Sequence, residues 1–150
     1  MNDSESTSNH AIGEHAGLAF CPTLRYVDAP RAIVWLVEAF GFTEHATYPS
    51  DDGTIAHAQL TFGSGVIMLG SSTNDGPYRV KSPQELGGDA TGGVYVILDR
   101  DGDVDRHCAR ARTAGAVIVA EPADADYGGR GYTARDFEGN YWSFGTYRPL

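Results

Sequence analysis

The sequence predicts an α+β fold of two tandem βαβββ modules, and three observations carry that prediction. Residues 54–70 can be laid without a gap on residues 129–145, an offset of 75 residues, half the chain, that matches Phe62 with Phe137 and Gly70 with Gly145. Each block holds an alternating stretch, a turn signal (Ser64-Gly65 in one, Glu138-Gly139-Asn140 in the other) and a second apolar run, so each reads as a β-hairpin. Upstream of each hairpin the order is the same: a strand, a helix and a further strand.

In the first half the strand covers residues 23–27. Asp28 and Pro30 open a helix whose apolar residues Ile33, Leu36, Val37 and Phe40 recur at i, i+3, i+4 and i+7, and Gly41 ends it in the manner of a left-handed cap. A strand follows at residues 43–48. In the second half the strand covers residues 94–98, the acidic run Asp99, Asp101 and Asp103 suits a helix N-terminus, and Val104, Cys108 and Ala111 share one face up to Gly115. The matching strand lies at residues 116–120. Residues 71–93, rich in Gly, Ser, Pro and Asp, read as a long linking loop in which Tyr78, Arg79 and Lys81 are available to a binding site. The expected organisation is an N-terminal disordered tail over residues 1–17 and one domain over 18–150, with module one at about 20–72 and module two at about 92–148.

The net charge of −9 and pI near 4.8 exclude a phosphate backbone as an obvious partner; such charge attracts cationic ligands, but it is more often simply a solvated surface. No apolar run approaches the roughly 20 residues that span a bilayer, and the N-terminus has neither the basic nor the apolar region of a signal peptide. A cytoplasmic protein with reduced Cys21 and Cys108 is therefore expected. The Asp-rich run at residues 99–105 places Gly102 and Arg110 where a calcium loop needs other residues, and Gly63-Ser-Gly65 lies in a hairpin rather than before a helix, so neither an EF-hand nor a dinucleotide fold is supported.

The segments TLRYVDAPRAIVWLVEAFGF, IAHAQLTFGSGVIMLG, DVDRHCARARTAGAVIV and YGGRGYTARDFEGNYWSF resemble the glyoxalase, bleomycin-resistance and dioxygenase superfamily, the vicinal oxygen chelate proteins, and in particular its PhnB-like branch. The likeness covers about residues 18–148. Tyr127-Gly128, Arg130, Asp136, Gly139, Asn140 and Trp142 are similar to the family's YGxR and DPxGxxW, with Phe137 where proline is usual. The resemblance implies modules curled into a half-open barrel around a cavity, and a homodimer. In metal-dependent members it implies an ion held by His, Glu or Gln from the first and last strand of each module. Those positions fall here on Cys21, Met68, about Gly93, and Ser143, so no metal cofactor is expected.

If Met68 and Ser143 point into the cavity as the resemblance implies, strand alternation sends Val66, Tyr141 and Gly145 there as well and turns Trp142 and Phe144 towards the helices. His57, Gln59 and Thr61 share one face of the preceding strand, which is either the cavity or a wet exterior. Arg130 and Arg25 are candidate grips for a carboxylate or phosphonate, although an ion pair to a neighbouring carboxylate serves Arg130 equally well. Tyr95, Tyr132 and Tyr141 are expected as cavity aromatics and Tyr78 as a contribution from the loop. The expected function is metal-free binding of a small molecule, sequestering an antibiotic or other xenobiotic as bleomycin-resistance proteins do. The alternative is a glyoxalase-like lyase or isomerase that uses His57 as general base or a non-standard metal site.

Overall fold

A computed structural model of the chain describes residues 11–13 and 17–150; most of the tail expected over residues 1–17 lies outside them. The described chain runs β1 (Thr23–Tyr26), α1 (Ala29–Phe40), β2 (Thr43–Pro49), β3 (Ile55–Phe62), β4 (Gly65–Ser71), a 3-10 turn at Pro83–Leu86, β5 (Gly93–Ile97), α2 (Asp101–Thr113), β6 (Val117–Asp124), β7 (Arg130–Arg135) and β8 (Tyr141–Gly145). Both modules thus have the predicted βαβββ order. Their strands form two four-stranded sheets, β1-β4-β3-β2 and β5-β8-β7-β6, each with its first and last strand parallel.

Local signals explain the boundaries. The Asp28 side chain accepts the Arg31 N–H at 3.1 Å, which satisfies a donor that the first turn of α1 leaves unpaired. Gly41 takes φ 81° in the left-handed region, and the Phe42 N–H returns to the Leu36 carbonyl at 3.3 Å, closing the helix.

The helices face each other between the sheets, so both modules contribute to one core. Leu60, Ile67 and Leu69 enter it from the first sheet, Ala134, Trp142 and Phe144 from the second. Phe40 of α1 packs 4.7 Å from the Phe144 ring and 5.5 Å from that of Trp142, ring centroid to centroid. Trp142 is fully buried on the helix side, as the alternation predicts. Helix α2 also caps α1. Arg110 donates to the Glu38 and Val37 carbonyls at 2.8 and 3.0 Å, and His107 Nε2–H donates to the Phe40 carbonyl at 2.7 Å. These carbonyls belong to the last turn of α1, where a helix has acceptors without partners.

The gap-free offset of 75 holds for the closing strands but not for the strands before them. Thr23 pairs with Met68 and Tyr95 with Ser143, so Met68 and Ser143 are equivalent, as are Gly70 and Gly145. Gln59, however, lies opposite Met68, while Thr133 lies opposite Ser143, an offset of 74. The turn between β7 and β8 is longer than the two-residue turn between β3 and β4, and one residue of slip reverses the face of every side chain. Tyr132, which the gap-free alignment sets against His57, is consequently on the core side, 3% exposed.

The linking loop is not structureless. Its 3-10 turn is pinned by Ser82, whose hydroxyl donates to the buried Glu138 carboxylate at 2.6 Å. Both cysteines are free, Cys108 buried and Cys21 half-buried. No helix among the described residues is long and apolar enough to cross a membrane.

Candidate functional site

Because the helices occupy the space between the sheets, the opposite face of each sheet is open. The alternation of burial along β3, β4, β7 and β8 defines these faces. On the first sheet the open face carries Thr23, Arg25, Tyr48, His57, Gln59, Thr61, Val66 and Met68; on the second it carries Tyr95, Ile97, Val117, Thr133, Arg135, Tyr141 and Ser143.

The two faces differ in chemistry. On the first, His57 Nε2 lies 3.0 Å from Gln59 Oε1, and Gln59 Nε2 lies 3.4 Å from His45 Nδ1. With the amide oriented in this way, Gln59 accepts from His57 and donates to His45. His45 reaches the cluster because β2 has an irregularity between Glu44 and Ala46. Tyr48 stacks beside His57 at 6.0 Å. On the second face Thr133 and Ser143 share a 2.8 Å hydroxyl hydrogen bond, and the Arg135 guanidinium lies 5.0 Å above the Tyr141 ring. Arg135 also donates to the Gly139 and Gly88 carbonyls, which ties the linking loop to this face. Tyr95 donates its hydroxyl to the Tyr147 carbonyl at 2.7 Å and presents its ring.

The positions where the resemblance implies an ion do not suit one. The Cys21 thiol donates to the Val66 carbonyl, with sulfur and oxygen 3.2 Å apart, and burial raises its pKa, so it is held as a thiol rather than a thiolate. Met68 offers a thioether. Gly93 has no side chain to offer, and a Cβ there would sit tightly, 3.0 Å from the Tyr141 carbonyl oxygen. Ser143 is engaged with Thr133. Nor is there, among the described residues, a group of three or more His, Cys, Asp or Glu side chains arranged to hold an ion.

At the seam of the modules lies a cleft of about 700 Å³, walled by Phe40, Phe42, Phe62, Val94 and Val96. Its lining continues to Tyr95 and Ile97 on one side and Val66 on the other, so it adjoins both open faces. The charged groups at its rim are taken: Arg106 pairs with Asp103, Arg148 with Asp99, and Arg110 with helix carbonyls. His107, in its wall, has both nitrogens engaged, Nδ1 with the Tyr132 hydroxyl at 2.5 Å and Nε2 with Phe40. Burial lowers its pKa below the ordinary histidine value and keeps the ring neutral.

Of the residues expected in the site, Arg25, His57, Gln59 and Met68 come together on one face and Tyr95, Tyr141 and Ser143 on the other. One expectation is corrected, and for Arg130 the alternative reading, an ion pair, is the one observed. Tyr132 faces the core for the register reason given above. Arg130 is committed to Asp105, with two hydrogen bonds at 2.9 Å, and to Asp124 at 3.2 Å, which hold its pKa up and that of Asp105 down. Tyr78 stands 71% exposed on the linking loop, apart from the rows paired in register on either face. Conversely, Thr133, Arg135 and His45 belong to the open faces without having been expected there. Alternation about the β7–β8 turn finds the first two once the register is right, whereas nothing in the sequence announces the irregularity that brings in His45.

The family model of the Glyoxalase/Bleomycin resistance protein/Dioxygenase superfamily matches residues 12–144. The uncharacterized protein Rv0887c of Mycobacterium tuberculosis is 32% identical over 128 residues, 85% of this chain and 73% of that protein. Among solved structures, TioX from Micromonospora sp. ML1 is 36% identical, with a TM-score of 0.66 over 87% of this chain and 97% of TioX. A point mutant of FosX from Listeria monocytogenes, a fosfomycin resistance protein solved with Mn(II) and 1S,2S-dihydroxypropylphosphonic acid, has a TM-score of 0.66 at 16% identity, covering 91% and 94% of the two chains, and shows likeness of fold alone.

Proposed function

The chain belongs to the Glyoxalase/Bleomycin resistance protein/Dioxygenase superfamily, and on that basis we propose that it binds a small molecule on its open sheet faces without a metal ion, sequestering an antibiotic or other xenobiotic. One observation carries this reading. The open faces keep hydrogen-bonding and aromatic side chains, whereas Cys21, Met68, Gly93 and Ser143 stand where a divalent cation would need anionic or imidazole donors.

A second copy of the chain completes the site. Tyr48, Tyr95, Ile97, Val117 and Val119 are exposed large side chains on or beside the open faces, and a homodimer that sets one copy's first sheet against the other's second sheet would cover them. The bound molecule then has hydrogen-bonding groups on one side, aromatic rings on the other and the apolar cleft at its end. Within the superfamily, Tyr127-Gly128, Arg130, Asp136, Gly139, Asn140 and Trp142 support a PhnB-like assignment. Its free cysteines suit the cytoplasm.

Incubation with a panel of aromatic antibiotics, followed by mass spectrometry of bound and free compound, tests the reading. Recovery of an unmodified compound in fixed stoichiometry is expected; steady release of a product would overturn it. The second reading, an enzyme with His57 as general base, has the His57–Gln59–His45 chain in its favour, because that chain fixes the imidazole. It predicts turnover that His57→Ala abolishes while folding is unchanged.

A further inference from the structure

We propose that the ligand is an acid, and that Arg25 and His57, facing each other across Gly70 on the open face of the first sheet, receive its carboxylate, sulfonate or phosphonate group. This rests on the open-face reading and names the chemical class that the face selects.

The strand register builds the site. Arg25 lies beside Gly70, and continuing the β3–β4 register by one residue sets His57 on the other side of Gly70, with Tyr48 beyond it. One row across the sheet therefore reads Arg25, Gly70, His57, Tyr48. β1 and β3, on either side of β4, are about 9.5 Å apart, a span that would be filled if the central position carried a side chain. It does not. A Cβ on Gly70 would collide with Arg25 Nη1 and would lie 3.0 and 3.3 Å from the Ala56 and Ile55 carbonyl oxygens, so the guanidinium enters the notch that the glycine leaves, beside the backbone at the start of β3.

Arg25 is also unpaired. The guanidinium groups of Arg106, Arg112, Arg130 and Arg148 meet carboxylates, those of Arg110 and Arg135 meet backbone carbonyls, and Arg31, Arg79 and Arg100 are exposed. Half-buried Arg25 has no hydrogen-bond or ion-pair partner among the described residues. Its planar fork is a two-point donor for an oxyanion. His57, held by Gln59, forms the opposite wall.

No Asp or Glu stands among the residues paired in register on either open face, and Glu44 and Glu121, on the outer strands, are bonded to Thr47 and Arg112. The proposed acidic ligand is the opposite of the cationic one that the net charge suggests. The second module supplies an internal control. Its equivalent row is Ile97, Gly145, Gly131 and Ala123, which folds in the same way without any charge. Neither Arg25 nor His57 is therefore a requirement of the fold at this row.

Fluorescence titration with 8-anilinonaphthalene-1-sulfonate and with neutral N-phenyl-1-naphthylamine, which shares its rings, tests the proposal on the full chain. Arg25→Gln is expected to weaken sulfonate binding at least tenfold and to leave the neutral amine unchanged, with Arg25→Lys intermediate. Equal sulfonate affinity in wild type and Arg25→Gln would overturn it. Should Arg25→Gln fold poorly by circular dichroism, Arg25→Ile, which copies the second module, takes its place with the same expectation. Tyr141→Ala separates the acid-binding proposal from the reading beneath it: it should weaken both probes, and if it weakens neither, the open-face reading itself fails whatever Arg25 does.

Discussion

The Asp136 carboxylate accepts a 2.7 Å hydrogen bond from the Tyr26 hydroxyl, joining the turn between β7 and β8 to the first strand of the other module. The same carboxylate accepts from Trp142 Nε1 at 3.0 Å, and two residues on Glu138 accepts from the backbone N–H groups of Val27 and Asp28 at 2.7 and 2.8 Å. Burial and the Asp136 charge raise the Tyr26 pKa well above the usual phenol value, so the phenol remains a donor. These buried acids hold the modules together rather than serving the ligand.

Removal of either partner should therefore be costly. Tyr26→Phe leaves a buried carboxylate one donor short and is expected to lower stability by about 1–3 kcal/mol. Glu138→Ala, which strips Val27, Asp28 and Ser82 of their acceptor, should cost more. Urea unfolding monitored by tryptophan fluorescence measures both, and ligand affinity should be unchanged in whatever fraction remains folded.

His107 makes stability depend on pH. Its folded-state pKa is lowered, so the unfolded chain binds more protons as pH falls through the histidine range. The sign follows: the full contribution of this residue is present above about pH 6.5, the unfolded value, and is lost as pH falls towards the lowered folded pKa. A fall in Tm between pH 7 and pH 5 that is shallower in His107→Gln than in wild type is the expected result of calorimetry.

Tyr132 and Tyr141 should part company. Tyr132→Phe removes the hydroxyl from His107 and is expected to lower stability by about 1 kcal/mol without altering ligand affinity. Tyr141→Ala, on the open face, should reduce affinity and spare stability by comparison. Paired thermal and ligand titrations of the two variants check this.

That pair also shows how far the sequence can be read. The βαβββ order, the caps at Asp28 and Gly41, and the faces of Met68, Trp142 and Ser143 follow from local patterns, which depend on neighbours a few residues apart. Tyr132 escapes them because a gap-free repeat crosses turns of different length, and period-two alternation turns one missing residue into the wrong face. The partners of Arg130, and the bonds of Asp136 and Glu138 to the first module, join residues far apart in the chain. No local pattern encodes them. That Arg25 lacks a hydrogen-bond or ion-pair partner among the described residues is equally invisible in the sequence, since being unpaired is a property of the whole fold.

The proposed homodimer would cover the open faces with a second chain. Val117→Glu with Ile97→Asp would place charge on exposed apolar positions of the second sheet, and light scattering should show the mass falling from two chains to one, 16.1 kDa. Wild type of single-chain mass would remove the dimer from the account.

Metal independence is tested most directly by titrating 8-anilinonaphthalene-1-sulfonate into protein stripped with a chelator, and then into the same protein supplied with manganese, zinc or nickel. Cys21, Met68, Gly93 and Ser143 predict one affinity throughout. An affinity that collapses on stripping and returns with one of these ions would contradict the account.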